Sequence, residues 1–296
     1  MNTVYLDSST ADPDRRRQLY EGQLFVYSPT PGTLALIAHA RQLIQDAFGA
    51  LDPETAQYDM PVERYAQLLA GLKPRFIHHP ESKNLIQRIL DERGCDLAKT
   101  YFDVPRLRTA TSDDYLTSGI AYAFHPHRDT WYSAPPSQLN WWLPVYEIES
   151  GRVMALHARY WARPVRNSSH TYDYVEWNAT NRFNAAQHIK TDNRVQPRPE
   201  EPVDLDPQIR IVTPVGGVLI FSGAQLHSTV PNTTGRTRFS IDFRTVHFDD
   251  VSEMRGAPNV DSACTGTTVN DYLRGTDLGH LPSEVIDRYE TRKKIA

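Results

Sequence analysis

Residues 216–244 read GGVLIFSGAQLHSTVPNTTGRTRFSIDFR and contain three short segments that are typical of β-strands. The segments VLIFS, LHSTV and RFSIDF are rich in β-branched and aromatic residues, and turn-forming Gly, Pro and Asn residues separate them. Turn residues that recur at such short intervals argue against a long helix in this stretch. The stretch therefore predicts strands joined by short loops.

The same pattern extends towards the N-terminus as far as about residue 100. A polar insertion at about 162–207, with a helix candidate near Asn181 to Ile189, interrupts it before the β pattern resumes. Together with the stretch above, the chain offers eight segments that read as strands, which favours a β-sandwich or barrel. The further candidates are TYFDVPRLRTAT (100–111), SGIAYAF (118–124), QLNWWLPVYEI (138–148), RVMALHARYW (152–161) and QIRIVTP (208–214).

The first third of the chain carries mainly helix signals. It contains one strand candidate, Gln23 to Tyr27, and helix candidates at Thr33 to Phe48, Pro61 to Leu72 and Pro80 to Arg93. We predict a single domain over residues 1–296 that is mainly β with flanking helices. Its parts are a helical layer at about 1–99, a β core at about 100–248 that includes the insertion, and a tail at 249–296 that ends in a short helix.

Composition narrows the class of protein. The 296 residues are 40% hydrophobic and 23% charged, which is typical of a globular domain. A formal net charge of −4 disfavours a nucleic-acid partner. The two cysteines, Cys95 and Cys264, are far apart and suggest neither a disulfide framework nor a thiolate zinc site, so we expect a cytoplasmic protein. No apolar run reaches the roughly 18 residues of a membrane span or forms a signal peptide.

The segment FHPHRDTW at 124–131 carries the strongest sign of chemistry. His127 and Asp129 are two positions apart, so on an extended strand their side chains point the same way and can reach one metal ion. His227 lies 227 − 129 = 98 residues after Asp129, within another strand-like segment, and supplies a third candidate ligand. The alternative is that these histidines are packed or solvated residues without a metal.

Two similar pairs compete with this motif. His247 precedes Asp249 by two positions, but only 296 − 247 = 49 residues follow it, too few to build the rest of a barrel. His79, two positions before Glu81, sits at a predicted helix start and fits a structural or surface role. Two histidines and one carboxylate leave three positions of an octahedral ion open, as in non-haem Fe(II) oxygenases, whereas a structural zinc site would need four protein ligands.

An alternating polar stripe follows His227. Alternate side chains from Arg236 to Arg244 share one face of a strand, and Phe239, Ile241 and Phe243 share the other. If the polar face met solvent, it would be an ordinary exposed surface. If it faced a barrel interior, Arg238 could bind the carboxylate of a dicarboxylate cosubstrate in a bidentate manner, and Ser240 could add a hydroxyl.

In combination, HRD at 127–129, GGVLIFSGAQLHSTVPN at 216–232 and RFS at 238–240 resemble the Fe(II)/2-oxoglutarate-dependent dioxygenases, and within them the phytanoyl-CoA hydroxylase-like group. The resemblance covers about residues 100–247. It implies a double-stranded β-helix, which is a jelly-roll of the cupin-like kind, with iron at one mouth. It also implies His127, Asp129 and His227 as iron ligands and Arg238, helped by Ser240, as the anchor of 2-oxoglutarate.

The resemblance further implies that a residue of the strand after the His-x-Asp motif lies near the cosubstrate. Asn140, Trp141 and Trp142 are the candidates, although tryptophans packed in a sheet core explain this run equally well. The implied cofactors are Fe(II), 2-oxoglutarate and O2, with hydroxylation as the default outcome. Because related halogenases lack the carboxylate ligand, Asp129 argues against halogenation.

The substrate is the least defined part. We expect an acidic or ring-bearing small molecule, with no nucleic acid and no membrane partner, while the oligomeric state stays open. Other classes remain: a cupin-like metal-dependent isomerase, lyase or hydrolase, and a non-catalytic binding barrel. The candidates for substrate contact, which could instead belong to packed or solvated loops, are Arg128, Trp131, Tyr132, Arg159 and Arg163.

Overall fold

The computed structural model describes residues 3–121, 125–181, 185, 187–189 and 191–292. The helices are α1 (Asp12–Tyr20), α2 (Pro31–Phe48), α3 (Val62–His78), α4 (Pro80–Glu92), α5 (Tyr174–Thr180), α6 (Phe248–Ser252) and α7 (Ser283–Arg292). The strands are β1 (Val4–Leu6), β2 (Leu24–Tyr27), β3 (Thr100–Phe102), β4 (Arg106–Ala110), β5 (Leu139–Pro144), β6 (Met154–Leu156), β7 (Ile209–Arg210), β8 (Val218–Ser222), β9 (His227–Thr229), β10 (Arg238–His247) and β11 (Leu273–Arg274).

The strands of the described residues form two sheets. The larger, eight-stranded sheet has the order β1-β2-β8-β5-β10-β3-β11, and β4 pairs with β10. Only β1 and β2 run parallel, and the other pairs in this sheet are antiparallel. The smaller sheet has the order β7-β6-β9. The ten-residue strand β10 pairs with β5 on one side and with β3 and β4 on the other, so it is the central element of the fold.

Helices α2, α3 and α4 cover one face of the larger sheet. The side chains of α2 at Leu36, Ile37 and Ile44 share a core with Ile241 and Phe243 of β10. A capping box in which the Thr30 and Thr33 side chains each bond the other's backbone begins α2 and saturates N–H groups that a helix end leaves free. The odd-numbered side chains of β10 from Phe239 to Phe243 are therefore buried against helices, as the alternating sequence predicts.

The opposite face of the larger sheet packs against the smaller sheet. Trp142 of β5 and Leu219 and Phe221 of β8 belong to a cluster with Leu156 of β6. Trp141, the neighbour of Trp142, points to the helical side and stacks on Phe243 with ring centroids 5.3 Å apart. Because successive side chains of a strand alternate, the sequence Trp141-Trp142 contributes one ring to each layer.

The structure confirms a β core with flanking helices and corrects several boundaries. Helix α3 continues past Leu72 to His78 although Pro74 lies inside it, and the fully buried Phe76 ring helps to offset the backbone bond that Pro74 cannot make. The first part of the strand candidate 118–124 is a 3-10 helix over Gly119–Ala121, and 122–124 lie outside the described residues.

Two further differences concern the helix of the insertion and the strand candidate at 100–111. The helix of the insertion is α5, which ends just before the candidate at 181–189; residues 182–184 and 186 of that candidate lie outside the described residues. The candidate at 100–111 forms two strands, β3 and β4, divided around Pro105, which has no backbone N–H to donate. In the described part of the chain, no helix has the length and apolarity needed to cross a membrane.

We expect Ile241→Ala to lower the free energy of unfolding by about 2–5 kcal/mol, because the side chain is fully buried between β10 and the helices and its removal leaves a cavity. Urea denaturation followed by circular dichroism measures the change. Leu6→Ala is the control, since Leu6 is 72% exposed and its truncation should change stability by less than about 0.5 kcal/mol. Equal effects of the two substitutions would contradict the assigned packing.

Candidate metal centre

His127 and His227 face each other across an antiparallel bridge. The backbone N–H of His127 donates to the carbonyl of His227 at 3.0 Å, and the N–H of His227 donates to the carbonyl of His127 at 2.9 Å. Strand β9, which begins at His227, also pairs with β6. Asp129 follows two residues later, where its N–H donates to the carbonyl of Gly223 at 2.9 Å. Backbone pairing thus brings together three side chains that are distant in sequence.

The three side chains converge as a metal site requires. Asp129 Oδ1 lies 3.6 Å from His127 Nε2 and 3.8 Å from His227 Nε2. Among the described residues, this trio is the group whose ligand atoms lie within 4.8 Å of one another. In each ring the other nitrogen, Nδ1, hydrogen-bonds a carbonyl at 2.9 Å, of His125 or of Gln225, which leaves Nε2 as the ligand atom.

The electrostatics match the protonation states that a metal needs. Burial is the main cause that lowers the pKa of His227 to about 4, so its imidazole is neutral at pH 7. Burial disfavours ionisation of Asp129, but the two neighbouring histidines and the hydrogen bond from Asn140 outweigh it and lower the pKa of the carboxyl to about 2. A neutral imidazole and an ionised carboxylate are the binding forms of these ligands.

The second carboxylate oxygen of Asp129 is turned away from the histidines. Oδ2 accepts one hydrogen bond from Gln138 Nε2 and one from Asn140 Nδ2, both at 2.7 Å. The aromatic ring of Phe221 meets His227 edge to face at 5.1 Å between centroids. Two nitrogen donors and one oxygen donor, with no cysteine, fit Fe(II) or a similar divalent ion. Three protein ligands leave part of the coordination sphere of such an ion open.

Arg238 and Ser240, the residues expected to bind a cosubstrate, point into the same interior. Arg238 is 6% exposed and Ser240 is fully buried, so the polar face of β10 does not meet solvent here. Arg238 Nε and Ser240 Oγ are buried and have no hydrogen-bond partner in the part of the chain that the structure describes. The guanidinium carbon lies 5.9 Å from the centroid of the Trp142 ring. Burial lowers the pKa of Arg238 to about 10, so it is still a cation at neutral pH.

Oppositely charged side chains form ion pairs between Arg238 and the metal ligands. Asp242 accepts from Arg108 Nε at 2.5 Å and from Arg108 Nη2 at 3.2 Å. Arg244 Nη1 donates to Asp103 at 3.0 Å, and Arg244 Nε lies 4.0 Å from Asp129 Oδ2. Arg236, by contrast, is exposed, lies two residues before β10 and pairs with Glu54.

Two residues expected to contact substrate have structural positions. Arg128 is 1% exposed and its guanidinium donates to Asp261 and to the carbonyls of Ala224, Tyr160 and Arg163. Trp131 is fully buried and its indole N–H donates to Asp261 at 2.7 Å. Both side chains bind neighbouring segments together, which gives them a structural role.

The other three candidates differ in their distance from the metal ligands. The Tyr132 ring meets His127 edge to face at 5.5 Å and Tyr172 at 5.4 Å, so it lies beside the site. Arg159 pairs with Asp204 on the surface. Arg163 is exposed, with its guanidinium 5.3 Å from the Tyr160 ring centroid. Only Tyr132 of these three contacts a metal-ligand side chain in the described structure.

Sequence reasoning named Asn140 as a candidate near the cosubstrate but missed Gln138, Asp261 and Tyr272. Gln138 and Asn140 are two positions apart, the spacing that singled out His127 and Asp129, so this rule could have indicated a second pair on one face. Asp261 and Tyr272 come from the tail, where no local pattern relates them to the metal ligands. Their position depends on the tertiary fold.

No family model matches this chain, and no curated protein matches it. Several solved structures are similar to it at low identity. EvdO2 from Micromonospora carbonacea var. aurantiaca has 14% identity and a TM-score of 0.46 over 81% of this chain and 92% of that one. The non-haem α-ketoglutarate-dependent epimerase SnoN of nogalamycin biosynthesis has 14% identity and a TM-score of 0.36, with coverages of 80% and 84%.

The non-haem α-ketoglutarate-dependent carbocyclase SnoK, also of nogalamycin biosynthesis, has 13% identity and a TM-score of 0.39, and the match covers 81% of this chain and 85% of that one. The reactions in these names, an epimerisation and a carbocyclisation, differ from each other. Because all three TM-scores are below 0.5, the chemistry assigned to this chain rests on its own residues.

We expect Asp261→Ala to lower the free energy of unfolding by about 3–5 kcal/mol, because it leaves the buried guanidinium of Arg128 without its carboxylate. Asp204→Ala is the control, since it removes the surface partner of Arg159 and should cost no more than about 1 kcal/mol. Urea denaturation of both variants measures the difference. A loss below about 1 kcal/mol for Asp261→Ala would rule out the structural role given to Arg128.

Proposed function

We propose that this protein is a non-haem Fe(II)- and 2-oxoglutarate-dependent oxygenase that oxidises a small molecule. The single observation that carries the proposal is the pairing of two features on one interior face. One is the convergence of His127, Asp129 and His227. The other is the buried polar pair Arg238 and Ser240, whose Nε and Oγ atoms have no hydrogen-bond partner among the described residues.

A buried cation with an unused N–H is costly unless a ligand compensates it. A carboxylate does so well, because the planar guanidinium can donate two parallel hydrogen bonds to it. The distal carboxylate of 2-oxoglutarate would take this place, with the Ser240 hydroxyl as a second donor. A metal-dependent isomerase, lyase or binding barrel requires no such cation, and Arg238 therefore favours the oxygenase.

With Fe(II) bound by the three ligands, the metal supplies the site at which 2-oxoglutarate, O2 and a substrate C–H group become succinate, CO2 and a C–OH group. The residues of the chain define the surroundings. His127 and His227 present their Nε2 atoms, and Asp129 presents one anionic oxygen. Phe221 packs on one ligand ring and limits the access of water there.

The same proposal includes the type of fold, the family group, the reaction and the location of the enzyme. We propose that the two sheets form a double-stranded β-helix of the jelly-roll type and that the enzyme belongs with the phytanoyl-CoA hydroxylase-like group. Hydroxylation of an acidic or ring-bearing small molecule is the expected reaction. The Tyr132 ring, edge to face with His127, supports an aromatic contact with such a substrate. Cys95 and Cys264 are both buried thiols, which supports a reducing, cytoplasmic location.

Anaerobic absorption titration of the metal-free protein with Fe(II) and 2-oxoglutarate tests the proposal without knowledge of the substrate. We expect a charge-transfer band that requires both components. His227→Ala should abolish the band by loss of the metal. Arg238→Ala should retain Fe(II) binding and weaken 2-oxoglutarate binding by at least about 10- to 100-fold, since each hydrogen bond to a charged group contributes about 1.5–3 kcal/mol.

Arg17→Ala is the matched control, because it removes an arginine that is 67% exposed on α1 and pairs with Asp14 on the surface. Its titration should superimpose on that of the wild type. Wild-type protein that binds Fe(II) without a band dependent on 2-oxoglutarate would rule out the oxygenase and leave a cupin-like enzyme or a binding barrel.

A further inference from the structure

We propose that Tyr272, in the C-terminal tail, is a positioning residue for the metal centre, because its hydroxyl fixes the orientation of the Asp129 carboxylate through Gln138. This inference rests on the proposed function in one respect, namely that the trio of ligands binds a divalent metal. It gives a role in the metal centre to residues 249–292, a part of the chain that supplies neither a metal ligand nor the cosubstrate anchor.

The direction of every hydrogen bond in this chain of contacts is determined by the carboxylate. An ionised carboxylate can only accept, so Gln138 and Asn140 must both present their NH2 groups to Asp129 Oδ2. Gln138 Nε2 uses its second hydrogen on Asn140 Oδ1 at 2.9 Å, which in turn fixes the orientation of the Asn140 amide. Both amides are then committed, and only the Gln138 oxygen needs a donor.

Tyr272 supplies that donor. Its hydroxyl lies 2.8 Å from Gln138 Oε1 and donates to it, and its side chain is 1% exposed. Burial also raises the pKa of Tyr272 well above 10, so the phenol keeps its proton throughout the neutral range. A hydroxyl that is always protonated and meets one acceptor leaves Gln138 with a single favourable amide orientation.

The tail holds this tyrosine firmly. Tyr272 packs in a core with Val246 of β10 and Val269, and the next residue pairs with Phe102 in the β11–β3 ladder. The tail also binds the metal-ligand segment through the backbone, since Thr268 N–H donates to the carbonyl of Ser133 at 3.1 Å. The position of the hydroxyl is therefore set by the sheet and not by a mobile loop.

Loss of the hydroxyl has a specific consequence for the metal ligand. Without it, Gln138 Oε1 is a buried acceptor that lacks a donor, and the present orientation of the amide is supported only by the Nε2 hydrogen bonds to Asp129 and Asn140. The reversed amide would place Oε1 against Asp129 Oδ2, where two oxygens repel each other. The amide would instead shift towards another donor, which weakens one of the two amide bonds to the carboxylate and holds Oδ1 less firmly towards both histidines.

Titration calorimetry of the metal-free protein with Co(II) under anaerobic conditions, together with the visible spectrum of the Co(II) form, tests the inference without turnover. We expect Tyr272→Phe to weaken Co(II) binding roughly tenfold and to alter the visible bands, in line with the effect of residues that orient metal ligands. Gln138→Leu should weaken binding by roughly 10- to 100-fold.

The double variant Tyr272→Phe/Gln138→Leu distinguishes action through Gln138 from general damage. If Tyr272 acts through Gln138, the double variant should bind Co(II) as the Gln138→Leu variant does. Additive losses would overturn the inference. If Tyr272→Phe does not fold, the spectrum of the Gln138→Leu variant decides, and an unchanged spectrum would overturn it.

Tyr289→Phe is the matched control. Tyr289 belongs to the same tail and the same core, but its hydroxyl donates to the carbonyl of Val251 at 3.1 Å. This variant should cost comparable stability and leave Co(II) affinity within about twofold of the wild type. Tyr272→Phe protein that binds Co(II) like the wild type would overturn the inference alone, whereas a wild-type protein that binds no divalent metal would overturn the proposed function itself.

Discussion

The bridge between His127 and His227 is the constraint on which the site depends. Two backbone hydrogen bonds join residues that are 100 positions apart (227 − 127), so the two imidazoles are held side by side by main chain and not only by side-chain packing. Their ring centroids are 4.2 Å apart. Metal ligands fixed in this way need little reorganisation when an ion binds, which favours affinity. Asp129 joins them because its own N–H bonds to the carbonyl of Gly223, in the loop that leads from β8 to β9.

Strand alternation then separates stability from chemistry. On β10, Phe239, Ile241 and Phe243 pack against helices, while Arg238 and Ser240 face the interior between the sheets. The apolar side stabilises the fold by removing side chains from water. This stabilisation offsets the free-energy cost of the opposite side of the strand, where a buried arginine and an unpaired hydroxyl are unfavourable without a ligand. One strand can carry both functions because its side chains point in opposite directions every second residue.

The sequence predicted the elements that rest on local pattern. Strand alternation indicated the two faces of β10, and the His-x-Asp spacing indicated two side chains on one side. It left open whether the polar face met solvent, since periodicity assigns residues to faces but does not say which face is buried. It also offered Arg128 either as a candidate for substrate contact or as part of a packed loop; its guanidinium bonds Asp261, which is 133 residues away. Contacts of that range depend on the assembled fold and have no signature in a single sequence.

The tail shows why the metal site is not confined to the two motifs. Asp261 accepts hydrogen bonds from Arg128 and Trp131, which flank Asp129 in sequence, and Tyr272 reaches the carboxylate of Asp129 through Gln138. The first pair of bonds fixes the backbone of the ligand segment, and the second chain of bonds fixes the side chain. A carboxylate on a segment whose backbone alone was fixed could still rotate and bind a metal with either oxygen. The geometry of the coordination positions that the protein leaves open therefore depends on both restraints, and both come from residues after the last strand of the predicted core.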